Sequence, residues 1–225
     1  MLPLVGQGLL QPHLQLEKGG GGLLARYRGQ RPQVSRTAGS LSGYEDAVGP
    51  RADQDQVGHL ERFNPAVLSA TSVLGEPRFI ECHRLGPFGG RGTDVDVVLD
   101  LMIHDLDIVL SFVKSPVKEV RAVGLPILSD KVDIANVRIQ FPSGCIANLT
   151  ASRVSTERVR KLRLFQPHEY ISLDYQRQDA VRFRVKPPMA IDFAQLPVTK
   201  DEPLRLELEG FFASIATRQP PRVTG

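Results

Sequence analysis

With 225 residues, 41% apolar and 24% charged side chains, the chain has ordinary globular composition and enough length to bury a real core. A formal net charge of +3 is too small to argue for nucleic acid, and no RNP, zinc-finger or basic-helix pattern accompanies it. No stretch reaches the roughly 18 unbroken apolar residues of a membrane helix, the start MLPLVGQGLL lacks the basic segment and small-residue cleavage site of a signal peptide, and Cys82 and Cys145 have no partner spacing, so a soluble, cytoplasmic protein with reduced thiols and no nucleic-acid or membrane partner is expected.

Residues 1–56 form the first of two expected regions. Within it, residues 19–56 show neither strand nor helix periodicity and carry five glycines in their first eleven positions, so an irregular or disordered arm is the expectation. The Gly6-x-Gly8 pair lacks a third glycine and a following βαβ unit and gives no dinucleotide signal. From Val57 to the end, the second region, the text is patterned. Residues 64–75 predict a helix with Pro65 in its first turn and Gly75 as its stop. PRFIECHRL alternates as a strand, and the greasy segment DVVLDLMIHDLDIVL, residues 96–110, predicts a helix. Six further strands are predicted within 117–128, 132–141, 145–154, 158–166, 170–176 and 180–185, divided by turns such as Pro142-Ser143-Gly144 and Pro167-His168-Glu169. Short connections imply antiparallel neighbours. Residues 202–217 close the chain as an amphipathic helix with Leu204, Leu208, Phe211, Phe212 and Ile215 on one side. The predicted fold class is α+β, a large open, mainly antiparallel sheet with helices on one face. The opposite face mixes Arg, Gln, Asn, Ser and Thr, which suits either solvent or pairing with a second copy.

Two clusters could carry chemistry. In the 96–110 helix, Asp100 and His104 are four residues apart and would lie one above the other. A carboxylate beside an imidazole suits general acid/base work near neutral pH. A helix-start acid favoured by the macrodipole, with a histidine packed under the sheet, has the same spacing. No third soft ligand stands nearby, so no metal site is expected. In QVGHLERFNPAV, His59, Arg62 and Asn64 lead into a helix start, where polar groups can meet an anionic ligand or simply cap the helix. The Gly-rich connection HRLGPFGGRGTDVD brings Arg84 and Arg91 to a place able to lie close to a ligand or to cross the surface.

VGHLERFNPAV followed some thirty residues later by DVVLDLMIHDLDIVL resembles the Gfo/Idh/MocA oxidoreductases, and the resemblance runs from Val57 to the end. It implies a C-terminal α+β domain whose sheet often forms the oligomer interface, working with an N-terminal Rossmann domain that binds NAD or NADP. GTDVDVVLDLMIHDLDIVLS, LSDKVDIANVRIQFPSGCIANLTASRVS and KLRLFQPHEYISLDY look closer still to the branch that oxidises the 3-hydroxyl of a UDP-N-acetylhexosamine for amino-sugar, lipid A-type glycans. The resemblance places His104 as acid/base and Asp100 as the preceding acid of its motif. It puts Arg62 and Asn64 on the nicotinamide and substrate side, and takes Asp107 as structural. Arg84 and Arg91 become candidates for substrate contact. Glu17 and Lys18 match the start of the family's Glu-Lys-Pro motif, whose lysine is catalytic, but Gly19 replaces the proline. A Rossmann domain needs far more chain than the 56 residues before Val57, and family members continue into one more helix beyond RQPPRVTG. The expectation is therefore a truncated NAD(P)-dependent oxidoreductase acting on a sugar nucleotide, with a sheet-pairing homo-oligomer. The alternatives are a non-catalytic dimerisation or substrate-binding fragment, and a family dehydrogenase for a free sugar or cyclitol.

Overall fold

The computed structural model describes residues 56–89 and 92–224, together with the backbone of 15–19 and 22–27. Strand β1 (Gln15–Gly19) and β2 (Gly22–Tyr27) form an antiparallel pair, and β2 adds to the edge of β4 (Glu119–Leu125). Both strands fall within the arm expected for 1–56. Backbone pairing with an open edge needs unpaired N–H and C=O groups, not an alternating side-chain pattern.

The remaining strands are β3 (Phe79–Leu85), β5 (Ile134–Gln140), β6 (Ile146–Ser152), β7 (Val159–Gln166), β8 (Glu169–Asp174), β9 (Asp179–Lys186) and β10 (Ala190–Gln195). Together they make one sheet in the order β1-β2-β4-β5-β6-β3-β7-β8-β9-β10. The pairs are antiparallel except β3 with β6, because the helical segment after β3 carries the chain across before β4 begins, and β3 is left between β6 and β7. Strand β10 has no counterpart among the predicted strands. None of its residues is buried, so it has no buried phase to reveal it. The β5–β6 hairpin turns at Gly144, whose φ of 86° needs a residue without Cβ.

One face of the sheet is the core face. Cys82 lies opposite Leu149 and Leu162, Leu149 opposite Val137, and Leu162 opposite Leu173, giving a continuous buried row across five strands. Helices α1 (Pro65–Thr71) and α2 (Ile103–Phe112) cover it with Val67, Ala70, Ile108, Val109 and Phe112. Cys82 and Cys145 are buried free thiols, the former pushed up in pKa by its burial. On the opposite face Phe79, Phe165, Tyr170, Phe183 and Phe193 form an aromatic row across β3, β7, β8, β9 and β10, with neighbouring ring centroids 5.0–5.7 Å apart. That row makes this face more apolar than its Arg, Gln and Asn residues suggested.

Helix α3 (Pro203–Thr217) falls where the closing amphipathic helix is expected. Its apolar side is not buried: Leu204, Leu208, Phe212 and Ile215 are 47–64% exposed, while Glu207 is buried. The helix docks through Gly210, where a Cβ would stand 3.2 Å from the Phe63 ring. It therefore turns its small residue, not its large ones, toward the 3₁₀ turn Leu60–Phe63. Glu202 caps its start by accepting from the Leu204 and Arg205 N–H groups.

The β4–β5 connection is organised by Asp133, which is fully buried. Its carboxylate accepts the N–H groups of Ile127, Leu128 and Ser129 and the Ser129 hydroxyl. Burial alone would raise its pKa, but these donors outweigh it and hold the carboxyl well below the usual range. Because the folded value is depressed, the stabilisation is present above the unfolded carboxyl pKa of about 4 and is lost as pH falls through the folded value. In denaturation curves between pH 2 and 5, Asp133→Asn is expected to flatten the acid limb relative to the parent chain. Equal acid limbs would contradict this account.

Candidate functional site

The alternation that puts Ile80 and Cys82 in the core puts Arg84 there too, and it is 2% exposed. A guanidinium in that position requires anions. Asp105, in the first turn of α2, supplies both oxygens at 2.9 Å to Arg84 Nε and Nη2, and Glu61 accepts from Nη1 at 3.0 Å. The Tyr175 ring lies 5.1 Å below the guanidinium. Burial alone would make Arg84 easier to deprotonate, but Asp105 and Glu61 outweigh it and hold the charge firmly. Asn64 extends the network: its amide donates to Glu61 and to the Tyr175 carbonyl, each at 3.1 Å, while its side-chain oxygen accepts the Ala66 N–H and caps α1. Arg62 turns away to Asp107 at 3.5 Å.

His104 stands at the edge of this cluster. Its pKa is lowered by burial first and then by the Arg84 charge, against Glu61 and Asp105. The ring is thus held neutral near pH 7, the state able to take a proton. Its Nδ1 is buried without a hydrogen-bond partner. The His59 ring stands 6.4 Å away, edge to face, and its Nδ1 is also buried and unpartnered. Beyond His59 lies the buried Glu207 of α3, whose pKa is raised by burial, against the pull of His59.

The sequence-predicted residues are distributed unevenly around this centre. His104 is at the cluster. Asp100 is not hydrogen-bonded to His104, because residues Val98–Met102 form a π turn in which the Ile103 N–H reaches the Val98 carbonyl. An i→i+5 turn is wider, so residues four apart no longer overlie one another. The Asp100 carboxylate faces Gly92 instead, where a Cβ would stand 2.9 Å from Oδ2 and where φ is 73°. Asn64 is engaged as a helix cap, and Arg84 gives three of its five N–H donors to Asp105 and Glu61 under the sheet. Arg91 lies outside the described residues, and Lys18 falls on β1, where the backbone alone is described. Glu61 and Asp105 are the partners that sequence reasoning did not assign. The signal for them was present: Asp105 shares the buried phase of Met102, Ile108, Val109 and Phe112, and a buried acid implies a buried base. Among the described residues no group of three or more His, Cys, Asp or Glu could hold a metal ion, and no helix is long and apolar enough to cross a membrane.

Asn64→Ala removes a cap and leaves the Tyr175 carbonyl and one Glu61 oxygen without their donor. It is expected to cost about 2 kcal/mol in urea denaturation. A change smaller than a few tenths would mean that the cap contributes nothing.

Residues 68–166 match the GFO/IDH/MocA C-terminal domain. Over 170 residues the chain is 35% identical to UDP-N-acetylglucosamine 3-dehydrogenase of Acidithiobacillus ferrooxidans, covering 73% of this chain and 54% of that one. The solved structure of that organism's enzyme, GnnA, superposes with a TM-score of 0.69 at 34% identity, covering 74% of this chain and 55% of that one. Levoglucosan dehydrogenase in complex with NADH and levoglucosan shares the fold at 15% identity, with a TM-score of 0.63 over 75% of this chain and 58% of its own. The chain belongs to the Gfo/Idh/MocA family and carries its C-terminal domain. It spans about half the length of the curated relative it matches.

Proposed function

We propose that this chain provides the substrate side of an NAD(P)-dependent oxidation of the 3-hydroxyl of a UDP-N-acetylhexosamine, in amino-sugar or lipid A-type synthesis, with His104 receiving the hydroxyl proton. The observation that carries this reading is the His104 imidazole, held neutral and left with a buried, unpartnered nitrogen beside the Arg84–Asp105–Glu61 cluster. The 35% identity to a UDP-N-acetylglucosamine 3-dehydrogenase supports the substrate class. When bound, NAD or NADP would take up the hydride. The Gly-rich connection between β3, ending at Leu85, and the helical segment beginning at Val98 is far longer than the tight strand–turn–helix that cradles a dinucleotide's diphosphate. These residues thus fit a sugar substrate and a proton acceptor, not the dinucleotide itself. What they do is hold Asp105 and Arg84 fixed so that the backbone of α2 presents His104 in one orientation.

A titration of the purified chain with UDP-N-acetylglucosamine and with NAD⁺ tests the proposal. Saturable sugar-nucleotide binding that is lost in His104→Ala supports it, whereas turnover of free inositol but not of the UDP-sugar would sink the substrate assignment.

A second reading, a non-catalytic module that pairs with its own copy, is favoured by one observation. The aromatic row ends on β9 and β10 with Phe183 and Phe193 exposed, next to Val185 and Ile191, and the latter is 75% exposed. Apolar area of that kind on a sheet face suits a second sheet. Phe193→Lys is expected to shift a dimer toward monomer in light scattering, with unchanged secondary structure. No binding of either ligand together with a stable dimer would favour this reading over the first.

A further inference from the structure

Arg160, on β7, is directly opposite Arg84 on β3 and so faces the same side of the sheet. Unlike Arg84, it has no carboxylate within ion-pair distance and no side-chain hydrogen bond among the described residues, although it is half-buried. With Arg158 it lines a cleft of about 150 Å³ whose wall also includes Gly86, Gly89, Arg153 and Asp100. Arg153 is already engaged by the Gly92, Val95 and Val132 carbonyls and by Asp133. Arg84 also lines the cleft but is paired with Asp105 and Glu61, so among the described residues Arg158 and Arg160 are the lining cations without a carboxylate partner, and Asp100 borders them.

A half-buried guanidinium without a counter-ion is costly unless an anion arrives. The dull alternative is that Arg160 balances the extra negative charge of Glu61 and Asp105 at a distance. That role explains neither the second unpaired arginine beside it nor a cleft in front of both. The glycines leave the wall without side chains, so a ligand's oxygens can approach the backbone closely. Arginine forks match phosphate oxygens in pairs, while a carboxylate at the border suits sugar hydroxyls, which can donate to it.

We infer that Arg158 and Arg160 form the subsite for the diphosphate of the sugar-nucleotide substrate, with Asp100 at its sugar side. The inference rests on the sugar-nucleotide reading above and deepens it. Arg160 fixes the diphosphate, and the hexose then extends past Asp100 toward α2. Asp100 contacts substrate in this arrangement and does not orient His104.

Calorimetric titration with UDP, which carries the diphosphate and lacks the sugar, isolates this subsite. Arg160→Ala and Arg158→Ala are each expected to weaken UDP binding by about tenfold, and rising ionic strength to weaken the parent's binding. Arg158 is exposed, so its variant keeps the test valid if Arg160→Ala fails to fold, and Arg160→Lys gives a charge-preserving comparison. UDP-N-acetylglucosamine binding that survives both alanine variants would overturn the subsite while leaving the functional reading intact. Arginine-dependent UDP binding with no tighter binding of UDP-N-acetylglucosamine than of UDP would uphold the subsite and sink that reading. Displacement of UDP by NAD⁺ at equal affinity, or no UDP binding at millimolar concentration, would overturn the subsite.

Discussion

Asp105→Ala is expected to destabilise the domain by about 3–5 kcal/mol, a large effect for a single substitution. The Coulombic attraction between Asp105 and Arg84 is not the reason by itself, because moving both ions out of water offsets much of it. The cost arises because Arg84, 2% exposed and bonded through Nε and Nη2 to this one carboxylate, would be left as a buried charge with Glu61 alone. The double variant Asp105→Leu with Arg84→Met removes both charges and fills similar volume, so most of the loss should return. Urea denaturation of the single and double variants measures both effects. If the double variant were as unstable as the single, the network would be contributing attraction in excess of its desolvation cost.

His104→Leu is expected to leave the domain at least as stable while sharply lowering the activity proposed for it. A buried Nδ1 without a partner destabilises the folded state, so replacing the ring with an apolar side chain should leave the urea midpoint unchanged or raise stability by about 1 kcal/mol. The same change should reduce oxidation of a UDP-N-acetylhexosamine by about 10²–10⁴-fold, the usual contribution of a general base. A group that costs stability where it sits, and whose loss removes activity, is a functional group. Should His104→Leu unfold the domain, the imidazole would instead be a packing element.

Most of the fold could be read from the sequence because its strands are half-buried and alternate. Ile80, Cys82 and Arg84, or Ala147, Leu149 and Ala151, announce a period of two that only a pleated strand satisfies. Pro142-Ser143-Gly144 announces a hairpin for an equally local reason, the positive φ at Gly144. Strand β10 escaped notice because exposed residues have no phase. The parallel β3–β6 pair escaped because strand order depends on contacts far apart in the chain. The site was less readable. His104 and the 56–65 segment stand out by residue type and by resemblance, but the Asp100–His104 pairing assumed an ordinary α-turn, and the π turn at Val98–Met102 moved Asp100 off that line.

What the sequence by itself determined is which positions are apolar, which face of each strand is inward, and where the chain must turn, since all of these follow from local geometry and side-chain type. The tertiary structure alone decided which charges meet. Arg84 and Asp105 are 21 residues apart and pair because β3 and α2 pack together, while Arg160 lies beside Arg84 and remains unpaired because β7 and β3 are neighbours. It also decided that the apolar side of α3 stays in solvent while Glu207 is buried. Periodicity reports that a helix has an apolar side. Whether anything covers that side depends on the surfaces the rest of the fold brings to it.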